Sequence, residues 1–166
     1  SVAQQIRRHF SCDDVDEAVD NSVVMVWAGP DPAFTPPPLS HPMEEDEFGT
    51  LWRREPDNEG YFLKAPLMEM ELDRYEFPDP HAPGRYAHLP AYMERHRGRF
   101  VLGLMRYCLF ERAHFLRGFE DLLMDFITRP EWVEELLDRV VEFQLGLAEG
   151  LLEHPVDAYF ISDDWG

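Results

Sequence analysis

The chain has 166 residues, of which 15 are basic and 33 acidic, and its formal net charge at pH 7 is −18. A surface this negative repels phosphate backbones and anionic lipid headgroups, so the composition excludes a general role in binding nucleic acid or membrane surfaces. No apolar run approaches the roughly 20 residues that span a bilayer. Cys12 and Cys108 form no CxxC pair. They are expected to be reduced thiols of a cytoplasmic protein, although one disulfide between them stays open.

The first thirty residues predict a helix followed by a strand. Ile6, Phe10 and the segment 15–19 follow a broken helical spacing. Residues 22–27 are short, uninterrupted and rich in valine. This pattern predicts a strand that is buried on both faces.

Proline dominates the next part of the chain. Twelve of the 14 prolines lie between Pro30 and Pro90, and each fixes its own φ and removes a backbone donor. Residues 43–65 are expected to form an antiparallel hairpin, with the acidic run 44–47 as a solvated loop. We therefore interpret residues 29–90 as a Pro-rich loop and hairpin excursion from the main domain.

The last third of the chain predicts a βαβ unit over residues 98–166. Apolar strands at 100–106 and 157–162 flank two helices, one at 111–127 and one that begins at Pro130. Strands joined by a helical crossover are parallel, with the helices outside the sheet. Because the final strand would be a bare apolar edge, we expect the chain to be part of a longer protein.

Polar residues follow both strands of this unit, and in α/β folds the sites lie at such strand ends. Arg106 ends the first strand, where it either clamps a substrate carboxylate or pairs with Asp163. Asp163 ends the second strand. Its carboxylate is expected either to serve as a general base or as a ligand for a cation or positive substrate, or to have a structural role as a helix cap or salt-bridge partner. Asp164 is the neighbouring carboxylate and otherwise a helix cap.

Histidine supplies one further candidate. His114 lies one turn into the helix that follows the first strand end, and we expect it to face the cavity. The other six histidines are expected on the surface or in loops: His9, His41, His81, His88, His96 and His154. The sequence has no HExxH spacing, GxGxxG, P-loop or GxSxG motif, so it gives no support to nucleotide-dependent or triad-hydrolase chemistry.

Several short motifs point to a family. They are LFERAHFLRGFE at Leu109–Glu120, then Met124–Phe126, Arg129–Glu131, Leu136–Asp138 and the closing Asp163–Gly166. Together they resemble the uroporphyrinogen decarboxylase superfamily, nearest its uroporphyrinogen decarboxylase-like bacterial branch. The resemblance is good over residues 98–166 and weaker at Asp46–Gly49 and Trp52–Arg53.

The resemblance implies a (β/α)₈ TIM barrel, about twice as long as this chain, with residues 1–166 as its N-terminal portion. It also implies a tetrapyrrole-handling enzyme of porphyrin biosynthesis that decarboxylates the acetate side chains of uroporphyrinogen without a cofactor. A homodimer is compatible with this interpretation. The residues expected to take part are Asp163, Asp164 and His114 as catalytic groups and Arg106, Tyr107, Glu111 and Trp165 as substrate-binding groups.

Two departures from the family pattern keep an alternative open. His114 stands where the decarboxylase has a tyrosine, and residues 161–166 replace its Phe-Glu-Ser-His-Ala-Gly strand end. These departures favour corrinoid-dependent methyl transfer, which uses a methyl-donor substrate, a corrinoid protein and zinc, with the zinc ligands outside this chain. A third alternative is a non-catalytic fragment whose acidic surface binds a basic partner.

Overall fold

The computed structural model describes residues 2–54 and 60–164. Within these ranges the chain forms two three-stranded sheets, one parallel and one antiparallel, together with six α-helices. The predicted turn residues 57–59 and the predicted site residue Trp165 lie outside the described residues.

The chain begins with helices α1 (Val2–Phe10) and α2 (Val15–Ala18), followed by strand β1 (Val23–Val26). A helical segment therefore precedes a strand, as the spacing predicts. Along β1 the burial alternates, because Val24 and Val26 are buried whereas Val23 and Met25 are exposed. The prediction that this strand is buried on both faces is therefore wrong.

An antiparallel sheet follows β1. Its strands are β2 (Met43–Glu45), β3 (Leu51–Arg53) and β4 (Tyr61–Lys64), paired in sequence order. The sheet lies within the segment expected to form a hairpin, and β2 is an additional strand. Trp52 on β3 packs edge-on against Phe115, with ring centroids 4.7 Å apart, and this contact joins the sheet to a later helix.

Two 3₁₀ turns, Pro66–Met68 and Leu72–Arg74, precede helix α3 (Leu89–Arg95) and strand β5 (Phe100–Met105). His96, directly after α3, is 1% exposed, and its Nε2 lies 3.0 Å from Oδ2 of Asp14. His96 therefore lies in a turn, which agrees with the loop alternative, but it is buried and is not on the surface. Its contact with Asp14 ties the end of α3 to the N-terminal helices.

Three helices and a strand complete the described chain: α4 (Phe110–Arg117), α5 (Phe119–Thr128), α6 (Pro130–Leu152) and β6 (Ala158–Ile161). The single helix predicted over 111–127 is divided at Gly118, whose φ of 97° suits glycine but strains other residues. Pro130 occupies the first turn of α6, as predicted. None of the helices in the described ranges is long and apolar enough to cross a bilayer.

The parallel sheet has the order β1-β5-β6, with β5 in the centre. Val24 pairs with Val101 between β1 and β5, and Leu104 pairs with Phe160 between β5 and β6. Helices α4, α5 and α6 connect β5 to β6, which gives the βαβ arrangement. The carboxyl ends of all three strands therefore lie at one edge of the sheet.

The prediction of a partial (β/α)₈ barrel is wrong. Three parallel strands beside a separate antiparallel sheet do not resemble a portion of a barrel. The connection from β1 to β5 contains that antiparallel sheet before it reaches helix α3, whereas in a barrel each strand is followed directly by its helix. Phe160 and Ile161 of β6 are 49% and 65% exposed, although the apolar run 157–162 predicts a buried strand. An apolar run indicates strand propensity and does not determine which faces are covered.

Two apolar clusters hold the helices and the parallel sheet in place. One includes Leu116 of α4 and Leu136 of α6, and the other includes Val24 of β1 and Leu151 of α6. Helix α6 thus contributes to both clusters. Because α6 spans the two clusters, its middle turns are fixed relative to the carboxyl ends of β1 and β5.

Candidate functional site

A cavity of about 370 Å³ lies at the carboxyl ends of β1 and β5. Its described lining comes from residues 27–30 after β1, residues 46–48 before β3, residues 104–107 at the end of β5, and one face of α6. We call it the strand-end cavity. Its volume is near the lower end of the range of about 300–1,000 Å³ that small-molecule sites occupy.

Arg85 and Glu47 form a buried ion pair in the wall of this cavity. Arg85 is 2% exposed, and its Nη1 and Nη2 donate to the two carboxylate oxygens of Glu47 at 2.9 and 2.8 Å. Nη1 also donates to the carbonyl of Gly29, and Glu47 accepts from the backbone N–H of Asp31. A buried pair needs such additional hydrogen bonds to offset its desolvation. The pair fixes the loop after β1 and shows that the solvated-loop prediction is wrong for Glu47.

Asp46 is held in place by three donors. Its Oδ1 accepts from the backbone N–H groups of Phe48 and Thr50, and its Oδ2 accepts from Nε1 of Trp52 at 2.9 Å. Nη1 of Arg112 lies 3.9 Å from the same Oδ2, which is an ion-pair distance and too long for a hydrogen bond. The solvated-loop prediction is therefore wrong for Asp46 as well.

Arg112, in the first turn of α4, is the least compensated charge in the cavity. It is 7% exposed, and its guanidinium carbon lies 3.7 Å from the ring centroid of Phe48. Its buried Nε and Nη1 atoms have no hydrogen-bond acceptor among residues 2–54 and 60–164. Burial lowers the pKa of this guanidinium, and the nearby carboxylate of Asp46 opposes that shift. A bound anion would supply the acceptors that a buried guanidinium requires.

Two of the predicted substrate-binding residues, Arg106 and Tyr107, also line the strand-end cavity. Tyr107 has a φ of 55°, a conformation that is uncommon for residues other than glycine. Nη2 of Arg106 donates to the Tyr107 hydroxyl at 2.9 Å, and the guanidinium stacks on the same ring.

The strand-end cavity differs in charge from the protein as a whole. Its described lining holds four basic and two acidic side chains, whereas the whole chain has a net charge of −18. They are Arg54, Arg85, Arg106, Arg112, Asp46 and Glu47. A locally positive cavity in a negative protein favours an anionic group that enters the cavity.

Asp163 follows β6 at the same sheet edge as Arg106, but it lies outside the described lining of the cavity. Its Oδ2 accepts from the backbone N–H groups of Leu109 and Phe110, and its Oδ1 accepts from that of Glu111, at 2.8–2.9 Å. These donors are at the start of α4, where a negative charge is favourable. Asp163 therefore has the capping geometry. Asp164 is exposed, and its backbone N–H donates to the same carboxylate.

His114 and Glu111 are also on α4 but outside the described lining of the cavity. The imidazole of His114 packs against the rings of Phe110, Phe115 and Phe119, with centroids 4.2–5.7 Å apart. Burial among these rings lowers the pKa of His114. The structure thus brings Arg106 and Tyr107 together and places His114, Glu111 and Asp163 elsewhere.

Sequence reasoning missed Arg112 and Gln144, although each carries a recognisable signal. Arg112 is followed four residues later by the buried Leu116, and Gln144 follows the buried Val140 at the same spacing. A polar side chain on the apolar face of a helix indicates a special contact, because its burial needs compensation.

In the described part of the chain, no three His, Cys, Asp or Glu side chains come together as metal ligands. Neither a family model, nor a curated protein, nor a solved structure matches this chain.

Proposed function

We propose that this protein is a cytoplasmic enzyme that acts on a carboxylate-bearing tetrapyrrole and binds one of its carboxylates at Arg112. The observation that carries the proposal is the burial of this guanidinium in the strand-end cavity, with Nε and Nη1 unmatched by any described acceptor. The family resemblance supplies the substrate class, and the positive lining of the cavity supports an anionic ligand. Corrinoid-dependent methyl transfer and a non-catalytic acidic fragment stay predictions from the sequence.

The size of the cavity limits how such a substrate binds. A volume of about 370 Å³ suits a single substituted pyrrole ring with its carboxylate side chain. The rest of a tetrapyrrole then lies outside the cavity, against the exposed Trp27 and Arg106 at its rim. No metal or cofactor is required for this contact.

The chemistry of decarboxylation assigns Arg112 to a carboxylate that does not react. In that reaction the bond between the side-chain methylene and the carboxylate carbon breaks, CO₂ leaves, and a proton replaces it on the methylene carbon. A guanidinium on the departing carboxylate would lose its ion pair as neutral CO₂ forms, which raises the barrier. We therefore assign Arg112 a binding role, whose loss raises KM more than it lowers kcat.

The test is a fluorescence titration of the protein with uroporphyrin, the oxidised and stable form of the substrate. Arg112→Met should weaken binding by about 10–100-fold, the effect of losing hydrogen bonds to a charged group. Arg112→Lys keeps the charge but not the planar guanidinium, so its affinity for uroporphyrin should lie between those of wild type and Arg112→Met. The matched control is Arg97→Gln, which removes an arginine whose side chain is 79% exposed.

Folding of the Arg112→Met variant is checked by its melting temperature. Arg112→Met removes two buried nitrogens without described acceptors and also the cation beside Asp46. Because Asp46 keeps its three hydrogen-bond donors, the variant should stay folded with only a small change in melting temperature. Equal affinity of wild type, Arg112→Met and Arg97→Gln for uroporphyrin would refute the proposed function.

A further inference from the structure

Gln144, in the middle of α6, is a second buried polar group in the strand-end cavity. It is 6% exposed, and its Nε2 donates to the carbonyl of Tyr107 at 3.1 Å. Its Oε1 is buried and has no donor in the part of the chain that the structure describes. Since the opposite amide orientation would face Oε1 against the carbonyl of Tyr107, this hydrogen bond fixes which end of the amide is the acceptor.

An acceptor in this position is unfavourable unless something binds it. Leaving a buried acceptor without a donor costs more than the hydrogen bond of an ordinary pair contributes, so such groups are rare and need an explanation. Apolar neighbours of Gln144 on α6, Phe143 and Leu147, line the same cavity. Leucine or methionine would fill this position of the helix without that cost.

Tyr107 links Gln144 to Arg112. The carbonyl of Tyr107 holds the amide of Gln144, and the guanidinium carbon of Arg112 lies 5.6 Å from the Tyr107 ring. The left-handed φ of Tyr107 turns the backbone sharply at the end of β5. Tyr107 therefore contacts both the cation and the hydrogen-bond acceptor of the cavity.

We infer that the strand-end cavity recognises two features of one ligand: a carboxylate, bound by Arg112, and an adjacent N–H or O–H donor, bound by Oε1 of Gln144. The ligand class is a small ring that has an N–H or O–H donor and bears a carboxylate on a side chain, as a pyrrole with an acetate side chain does. This inference rests on the proposed function and adds a requirement to it. A carboxylate without the donor leaves the acceptor buried and unmatched, and it should bind more weakly.

The test compares pyrrole-3-acetate with furan-3-acetate, which has the same shape and charge but an ether oxygen in place of the N–H. Binding is measured by isothermal titration calorimetry at neutral pH. Wild type should prefer the pyrrole by about tenfold, the effect of one buried hydrogen bond. Gln144→Met should reduce the preference to about one while furan-3-acetate still binds, and Gln4→Met on the exposed face of α1 is the control.

The outcomes separate the two proposals. If both compounds bind wild type with equal affinity, and Arg112→Met abolishes both, the inference about Gln144 is wrong and the anion site stands. Failure of both compounds and of uroporphyrin to bind would overturn the proposed function and this inference together. A preference for the pyrrole that Gln144→Met leaves unchanged would also contradict the role of Gln144.

Discussion

Replacing Asp163 by alanine should destabilise the protein through the loss of a cap on α4. The carboxylate accepts three backbone N–H groups, those of Leu109, Phe110 and Glu111. Each of these donors has no partner inside its own helix, because the first N–H groups of a helix lie beyond the reach of its carbonyls. Asp163 also belongs to the segment after β6, so the same bonds attach the helix to the sheet.

The magnitude follows from these three bonds. One cap hydrogen bond contributes about 1 kcal/mol, and the negative charge at the start of the helix adds up to about 1 kcal/mol. Asp163→Ala should therefore lower the free energy of unfolding by about 3–4 kcal/mol, which is a fall of about 10 °C in Tm for a chain of this size. Asp163→Asn keeps one acceptor oxygen and should have about half the effect.

Urea denaturation followed by circular dichroism measures this loss. The matched control is Asp164→Ala, which removes a neighbouring exposed carboxylate and should change stability by less than about 0.5 kcal/mol. If Asp163 acted mainly as a catalytic group, its replacement would leave the urea midpoint close to that of the control. Superimposable denaturation curves for the two variants would refute the capping argument.

Two further predictions concern titratable side chains. The pKa of His114 is lowered from its ordinary value of 6.5, so the unfolded chain binds a proton more readily than the folded protein, and stability is lost as the pH falls through 6.5. His114→Phe should remove this pH-dependent loss of stability. An NMR titration of the imidazole with a midpoint at or above 6.5 would contradict the prediction. Burial raises the pKa of Cys108 to about 11. Iodoacetamide should therefore label the half-buried Cys12 first and react with Cys108 only when the protein unfolds. Equal labelling rates of the two cysteines, measured by mass spectrometry, would contradict this prediction.

Local patterns in the sequence predict the helices and strands well. Pro130 marks the start of α6, and short valine-rich or apolar runs give β1 and β5. These features depend on the chemistry of a few neighbouring residues. The break at Gly118 shows the limit of such patterns, since the apolar spacing continues across it while the backbone needs a left-handed turn.

The arrangement of the sheets and the site depends on distant contacts, and the sequence predicts it less well. Glu47 belongs to an acidic run that suggests solvent exposure, but Arg85, far along the chain, buries it. Asp163 has the residue type and position expected of a strand-end catalytic group, yet its carboxylate oxygens accept hydrogen bonds from backbone N–H groups at the start of α4. The sequence predicts the sheet edge of Arg106 correctly, because that edge depends only on the direction of the parallel strands.

The separation of the two sheets has a consequence for the order of folding. In the antiparallel sheet, Glu45 pairs with Leu51, whereas the parallel sheet pairs Val23 with Phe100. The second pairing closes a loop more than tenfold longer, which costs about 2 kcal/mol more in chain entropy. We therefore expect the antiparallel sheet to form first and the strand-end cavity, which needs β1 beside β5, to be completed late in folding.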